Sequence, residues 1–448
     1  MQKKKTAPST PLQLGVIYPT AAGIDVGSMS MMVSYPGCEG NPIIQEYGSY
    51  TDDLEALALE LKQSNITDVC MEATGVYWMS LYELLEQHGF KVTLVNARHY
   101  KNVDGQKTDV KDCQWLQQLH AHGLLRASHI AEEEYRELRT YLRERGIMQV
   151  NKSDTLNRIH KVLTQMNIKV QHLISDIEGA TGMQIIGRIA EGKTIPSEIL
   201  QGLKTERLKA STEDLEKSLK GIFKPCFIRV LQLHLEAYRF YKQQMKRYEV
   251  EIEKLLKKLL PPNAPKIKSK TTKARKNQYH FNLKEYLHHM AGVDLTQIDG
   301  LDENSVLTII SVVGLNMNKW RTGDHFTSWL NLSPRPKKSG GMIIGHQKRF
   351  TNNAATQAFR LAAQTMWQQK GQLGHLYRKL AHTKGSRKAI KAVARRLALI
   401  FYNMLKNQTS YDRSKIIIDE EKLKARKIAR LKREAEKLGC RIESLIAC

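Results

Sequence analysis

Four acidic residues in the first quarter of the sequence have the spacing of a metal site. Asp25 and Glu72 each end a short apolar segment typical of a strand, while Asp109 and Asp112 share one face of a predicted helix. Clustered carboxylates favour Mg²⁺ or Mn²⁺, and a pair of such ions can stabilise the attacking and leaving oxygens of a phosphoryl transfer. Taken singly, each residue has a structural alternative, because Asp commonly forms turns after strands and complements the dipole where a helix begins.

A second candidate site lies far along the chain in a basic, glycine-rich segment. Ser339 follows Lys337 and Lys338 and precedes Gly340 and Gly341. Glycines let a phosphate backbone approach closely, lysines stabilise developing negative charge, and a serine hydroxyl can attack a DNA phosphate to form a covalent intermediate. The alternative is a basic turn without catalytic function, which the sequence alone favours because no obvious general base flanks Ser339.

The charge of the chain predicts a polyanionic partner. The formal net charge is +25 over 448 residues, and the sequence pI is about 9.7, which favours nucleic acid first and an anionic membrane surface second. No stretch reaches the ~18 apolar residues of a spanning helix, and the first residues lack a signal-peptide core. We therefore expect no membrane association and a location in the bacterial cytoplasm, with the nucleoid. The predicted phosphate contacts are Lys107, Arg139, Arg143, Arg335, Lys337, Lys338, Lys348, Arg349, Arg360, Lys388, Arg395 and Arg396.

The order of apolar patterns predicts an α/β domain over residues 21–130, after a leader at 1–20. Three strands in a meander come first, and helices and strands then alternate. This is the layout of a ribonuclease-H-like (RuvC-like) domain, although other α/β folds share parts of it. The segment 23–28 also has a rival interpretation as the phosphate hairpin of an actin-like ATPase. That class needs a second such hairpin and a glycine-rich adenosine loop, and the sequence shows neither.

The rest of the chain is predicted to be mostly α-helical. Residues 131–262 form a helical, coiled-coil region, with a heptad seam at 231–260 that pairs either two helices of one chain or two subunits. A basic linker follows at 263–280. A mainly helical domain that contains Ser339 spans 281–408, and a charged helical tail spans 409–448.

These motifs, in this order, resemble the DEDD transposases of the insertion-sequence 110 family. The resemblance lies in Gly23-Ile24-Asp25-Val26-Gly27, Glu72-Ala73-Thr74-Gly75, Lys107-Thr108-Asp109-Val110-Lys111-Asp112, Leu332-Ser333-Pro334 and Ser339-Gly340-Gly341. It covers most of residues 20–175 and 285–406. One departure is the presence of Asp299 and Asp302 where relatives often have a Pro-Gly-Ile-Gly hairpin.

The resemblance implies an RNA-guided DNA recombinase with a RuvC-like domain, a coiled coil and a C-terminal transposase domain. It implies that a non-coding bridge RNA pairs with donor and target double-stranded DNA. The four family carboxylates match Asp25, Glu72, Asp109 and Asp112, and the nucleophilic serine matches Ser339. The resemblance also implies a homo-oligomer, a dimer or tetramer, in which carboxylates and serine come from different subunits. The alternatives are a metal-dependent junction nuclease without a serine intermediate and a nucleic-acid-binding protein without enzymatic activity.

Overall fold

The computed structural model describes residues 15–37, 41–96, 109–174, 176–193, 210–268, 277–334, 336–346 and 353–413, with a few positions beyond 427. It divides the chain into two compact units, Met1–Ile130 and Ala131–Cys448. Residues 1–14 of the predicted leader, 269–276 of the basic linker and most of the charged tail lie outside the described residues. No helix among the described residues has the length and apolar character needed to cross a bilayer.

The first unit contains a mixed five-stranded sheet with helices on both faces. Its strands are β1 (Ala21–Val26), β2 (Ser30–Pro36), β3 (Pro42–Gly48), β4 (Asp68–Glu72) and β5 (Lys91–Val95), in the order β3-β2-β1-β4-β5. Its helices are α1 (Thr51–Gln63), α2 (Trp78–Gln87) and α3 (Asp109–Ala121). β1 and β2 form a hairpin closed by the Gly27 amide, which donates to the Ser30 carbonyl at 3.0 Å. β1 pairs in parallel with β4, so the predicted α/β layout and the predicted proximity of these strands are confirmed.

Alternation along the strands gives this sheet one strongly apolar face. Ile24, Val33 and Met71 point to the side on which α1 and α2 pack, and each is fully buried. α1 contributes Leu54, Leu57, Ala58 and Leu61, the face that its sequence periodicity predicts. This face holds the main core of the first unit.

The second unit is mostly helical, as predicted. Its helices are α4 (Glu133–Gln165), α5 (Ala180–Ala190), α6 (Thr212–Leu219), α7 (Pro225–Lys258), α8 (Leu283–Ala291), α9 (Glu303–Val313), α10 (Gly323–Trp329), α11 (Ala354–Thr365), α12 (Gln372–Lys384) and α13 (Ser386–Asn407). A two-stranded hairpin joins β6 (Pro336–Ser339) to β7 (Met342–His346). The apolar helix α9 is the centre of the larger core, with Val306, Leu307 and Ile310 fully buried.

The predicted heptad seam lies within α7 and packs against α4 of the same chain. Leu138 at the start of α4 shares a core with Ile252 near the end of α7, whereas Ile159 shares a core with Leu231 at the start of α7. The two helices are therefore antiparallel. Of the two alternatives left open for the seam, the intrachain pair is the one that the structure contains.

One buried ion pair joins the two helices, and a second joins α4 to the turn that precedes α5. The Arg145 guanidinium donates to Glu249 Oε1 from Nε and Nη2 at 2.9 and 2.7 Å, and both residues are about 95% buried. Lys152 Nζ lies 2.7 Å from Glu178 Oε1, and burial, together with the charge of Arg145, lowers the pKa of Lys152. A slip of α4 against α7 by one helical turn would leave Arg145 and Glu249 buried and unpaired, which is strongly unfavourable. Both cations are therefore buried rather than solvated, which the basic character of α4 does not indicate.

Candidate active site

Strand register puts Asp25 and Glu72 side by side at one edge of the sheet. Gly23 in β1 pairs with Cys70 in β4, and the two acidic residues each lie two positions further along these parallel strands. Because side chains alternate between faces, Asp25 and Glu72 share a face with Gly23 and Cys70. Glu72 is only 6% exposed, Asp25 is half-buried, and the Thr74 hydroxyl donates to Glu72 Oε1 at 3.0 Å.

Helix α3 covers this same face and runs antiparallel to β1. The amides of Ile17 and Tyr18, just before β1, donate to the carbonyl of Ala121 at the end of α3. Further along β1, Gly23 lies against the backbone of Cys113 and Gln117. Continuing in this direction, the end of β1 that carries Asp25 approaches the start of α3.

The start of α3 carries the other two predicted carboxylates. Asp112 is half-buried and precedes Cys113, whose thiol is fully buried. Burial, together with the negative charges of Asp25 and Asp112, raises the pKa of the Cys113 thiol to about 11. Both carboxylates are therefore close enough to this thiol for their negative charges to raise its pKa. Asp109 is the first residue of α3, and its side chain lies outside the described part of the structure.

The donor set fits a hard divalent cation, although the described side chains do not by themselves form a complete metal site. Among the residues that the structure describes, no three His, Cys, Asp or Glu side chains are grouped as metal ligands. Asp25 and Glu72 are neighbouring carboxylates, one of them buried, and a cation stabilises the ionised form of such a pair. Asp25, Glu72 and Asp112 are all described and do not form such a group, and the side chain of Asp109 lies outside the described part of the structure.

Ser339 lies at the tip of the β6–β7 hairpin and is exposed. Gly340 and Gly341 form the turn with φ values of 55° and 81°, a combination that favours glycine at both positions. A Cβ atom at either glycine would have no heavy atom within 4 Å, so the turn projects into open space. The sequence analysis predicts the turn but not the strands on either side of it. The apolar run Met342-Ile343-Ile344, which is exposed in the structure, is the sequence feature that could have indicated β7.

The predicted phosphate contacts differ in how available they are. Arg139, Arg143, Lys337, Arg360, Lys388 and Arg396 are exposed. Arg395 is half-buried and binds Asp324, with Nη2 2.8 Å from Oδ1, so its charge is already paired. Lys107, Arg335, Lys348 and Arg349 lie outside the described residues, as does the side chain of Lys338.

The acidic residues that depart from the family pattern have structural partners. The Asp302 carboxylate caps α9 by accepting from the Ser305 amide at 2.8 Å. Asp299 accepts hydrogen bonds from the Tyr411 hydroxyl at 2.9 Å and from the Arg413 guanidinium at 2.7 Å. This segment is therefore tied to the residues that follow α13.

Sequence reasoning missed the residues on which α3 rests. Ser34 and Gln117 are buried polar residues in β2 and α3, and the Ser34 hydroxyl donates to Gln117 Oε1 at 2.5 Å. The thiol of Cys70 donates to the Leu116 carbonyl at 3.4 Å. The available signal was the polarity of Gln117 and His120, which lie on the inward side of α3.

Two family models match the chain. The model named DEDD_Tnp_IS110, described as a transposase, matches residues 22–168 and thus includes all four predicted carboxylates. The model described as Transposase IS116/IS110/IS902 family matches residues 293–378 and includes Ser339. Together they cover just over half of the chain. Comparison with curated proteins gave no match.

Proposed function

Because this chain belongs to the IS110 family of transposases, which act on DNA, we propose that it excises and inserts its element by serine attack on DNA phosphates. The observation that carries the proposal is the placement of Asp25 beside Glu72 at the sheet edge that the start of α3 approaches. Two neighbouring carboxylates repel each other, and a cation bound by both would relieve that repulsion.

The first unit is proposed to be ribonuclease-H-like. The strand order β3-β2-β1-β4-β5, with an antiparallel meander followed by parallel strands, supports this proposal. In such a unit the carboxylates Asp25, Glu72, Asp109 and Asp112 would hold Mg²⁺ or Mn²⁺. The bound metal would polarise the scissile phosphate and stabilise charge on the attacking and leaving oxygens.

Ser339 is the proposed nucleophile. Its Oγ atom would form a bond to phosphorus while a phosphorus–oxygen bond of the DNA backbone breaks. The serine proton is lost, and the departing DNA oxygen is protonated. Attack by a new DNA hydroxyl on the phosphoserine would then release Ser339 and rejoin the strands. The exposed position of Ser339, on a turn with free space around it, supports access by a DNA backbone.

The test is trapping of the covalent intermediate on DNA that carries the ends of the element. We expect wild-type protein to give a protein–DNA adduct on a denaturing gel with Mg²⁺, and Ser339→Ala to give none. Ser333→Ala is the matched control, because Ser333 lies in the same segment and its hydroxyl is bound to Thr327 at 3.0 Å. An adduct that persists in Ser339→Ala would overturn the assignment of the nucleophile.

Guidance by a bridge RNA and assembly as a dimer or tetramer are further parts of the proposal, supported by family membership alone. RNA that co-purifies with the protein can be sequenced, and its target-pairing segment can then be altered. We expect the insertion site to follow the altered segment, and an unchanged insertion site would exclude guidance. Mass photometry of the protein–RNA complex measures the oligomeric state.

A metal-dependent nuclease is the second candidate function. It is favoured by the fact that Asp25, Glu72, Asp109 and Asp112 all lie in the first unit, whereas Ser339 lies in the second. This candidate predicts Mg²⁺-dependent cleavage by water without an adduct. Cleavage that is fully retained in Ser339→Ala would therefore support it.

A further inference from the structure

Helix α3 carries two of the four proposed metal ligands, yet it rests on a small apolar core. The buried apolar cluster beneath it consists of Cys70, Val95 and Leu116, with Leu119 and Leu125 partly buried beside it. The inward positions 117 and 120 are occupied by Gln and His, which are 8% and 5% exposed. Apolar packing is nondirectional. A cluster of this size therefore restrains the rotation of α3 about its axis only weakly.

Directional contacts hold α3 instead. The Ser34 hydroxyl, fully buried in β2, donates to Gln117 Oε1 at 2.5 Å. On the other side of β1, the Cys70 thiol donates to the carbonyl of Leu116 at 3.4 Å. Ser34, Gly23 and Cys70 form one row across three strands. The helix is thus attached to both neighbours of the central strand.

Between these two attachments, α3 lies directly on the backbone of β1. A Cβ atom at Gly23 would stand 2.4 Å from the Gln117 nitrogen and 2.5 Å from the Cys113 carbonyl oxygen. Gln117 therefore contacts the sheet twice, with its backbone against Gly23 and with its side chain on Ser34. These two contacts fix both the height of the helix above the sheet and its rotation.

The row that follows Ser34, Gly23 and Cys70 contains the carboxylates Asp25 and Glu72. An α-helix turns by about 100° and rises 1.5 Å per residue. A shift of α3 by one residue would therefore move Asp112 relative to the end of β1. Rotation of α3 at Gln117 is transmitted to its first turn because the helix is continuous from Asp109 to Ala121.

We propose that Gln117, held by Ser34 and by the bare backbone of Gly23, is a positioning residue that holds the first turn of α3, which carries Asp109 and Asp112, near the end of β1 that carries Asp25. It does not touch the metal or the DNA. This inference rests on the proposed function, because it assumes that the carboxylates bind a divalent cation. It adds that the affinity of the site for the cation depends on the buried hydrogen bond between Ser34 and Gln117, one row of strand residues away from Asp25 and Glu72.

The experiment compares Gln117→Met with Tyr35→Phe. Tyr35 follows Ser34 in β2 but points to the opposite face, where its hydroxyl donates to Glu60 Oε1 at 3.1 Å. Both variants remove one hydrogen bond from the same strand and keep the volume of the side chain nearly constant. Mn²⁺ binding to the full-length protein is measured by electron paramagnetic resonance, and DNA cleavage is measured over a range of Mg²⁺ concentrations.

We expect Gln117→Met to weaken Mn²⁺ binding, and to raise the Mg²⁺ concentration for half-maximal cleavage, by about 10–100-fold, the range for residues that orient metal ligands. Excess Mg²⁺ should restore part of the cleavage. Tyr35→Phe should change neither quantity. Ser34→Ala, a smaller change that keeps Gln117, should shift both in the same direction as Gln117→Met and serves if that variant does not fold.

The outcomes distinguish failure of the proposed function from failure of the positioning role of Gln117. Wild-type protein that binds no Mn²⁺ and cleaves no DNA would overturn the proposed function and the positioning role with it. Wild-type protein that binds Mn²⁺, with unchanged affinity in both Gln117→Met and Ser34→Ala, would overturn the positioning role alone. In that case Gln117 would contribute only to stability, which thermal unfolding of the same variants measures.

Discussion

The two faces of the five-stranded sheet are built from different chemistry. Beneath α1 and α2 the sheet presents a broad apolar core that includes Ile24, Val33 and Met71. Beneath α3 it presents Ser34, Gly23 and Cys70 in one row and the acidic pair Asp25 and Glu72 in the next. The first face can bury a large apolar area, whereas the second is joined by hydrogen bonds and close backbone contact.

The apolar face therefore contributes mainly to folding stability, whereas the face under α3 mainly fixes the positions of side chains. Apolar burial supplies most of the free energy of folding but tolerates small displacements. Hydrogen bonds and backbone contacts contribute less energy but depend steeply on distance and angle. A metal site needs fixed ligand positions, and the candidate carboxylates lie on the face where directional contacts dominate. Mutations on the two faces should therefore affect different measurements.

The largest expected effect is on the apolar face. Leu57→Ala removes a fully buried side chain of α1 and should lower the free energy of unfolding by about 2–5 kcal/mol. Urea titration followed by hydrogen exchange in β1 measures this loss in the first unit. The protein that remains folded should keep its wild-type affinity for Mn²⁺. A lower affinity would mean that the two faces are not separable.

On the other face, Glu72→Gln should affect activity rather than stability. The amide has the shape of the carboxylate but no charge, so DNA cleavage should fall by about 100-fold or more, as when one electrostatic group is removed from an active site. Loss of repulsion from Asp25 should leave stability unchanged or higher. The control is Glu60→Gln in α1, which should leave cleavage unchanged. Equal cleavage by Glu72→Gln and wild type would remove Glu72 from the site.

Gly23→Ala tests the close contact between β1 and α3. The added methyl group overlaps backbone atoms of α3, which cannot rotate away, so the helix must lift. We expect a loss of about 1–3 kcal/mol in the free energy of unfolding, typical of overpacking, and weaker Mn²⁺ binding. Gly15→Ala, where a Cβ would have no neighbour within 4 Å, is the control. Wild-type stability in Gly23→Ala would show that α3 docks loosely.

The smallest expected effect is a pH dependence that belongs to the α3 face. Burial lowers the pKa of His120 below its ordinary value of 6.5, although the charge of Asp68 partly opposes this shift. His120 therefore binds a proton more readily in the unfolded chain than in the folded one. Neutral His120 costs the folded state no stability above pH 6.5, and the free energy of unfolding decreases as the pH falls below that value. His120→Gln should flatten this decrease, as measured by thermal unfolding between pH 5 and 8. An identical pH profile in the variant would exclude His120 as its source.

The apolar face could be predicted from the sequence, whereas the α3 face could be predicted only in part. Alternating strands and the period of Leu54, Leu57 and Leu61 give the elements directly, because burial imposes a local repeat. The carboxylates are visible because they follow these elements. The contact between Ser34 and Gln117 joins residues 83 positions apart and leaves no periodic signal. A polar residue at an inward position is ambiguous until its partner is known.

The second unit shows the same limit. The heptad pattern predicts that α7 packs along a seam, but α4 could be identified as its partner only from the structure. Within the region predicted to be helical over 131–262, α4 ends at Gln165, and Asn167 has a positive φ of 56°. Helix α12 lies in the domain predicted to be mainly helical, but its bounds have no clear sequence signal, because its buried residues Leu373, Gly374 and Tyr377 form a narrow stripe. The side chains around Ser339 are polar or exposed, so no burial pattern marks the strands beside it.

The antiparallel pair of α4 and α7 also sets a fixed length within the second unit. With 33 and 34 residues, each helix is about 50 Å long at 1.5 Å per residue. That length is about one and a half turns of duplex DNA, at roughly 34 Å per turn. The ion pair between Arg145 and Glu249 fixes the two helices against sliding. Groups at opposite ends of this pair are therefore held at a constant separation of about 50 Å.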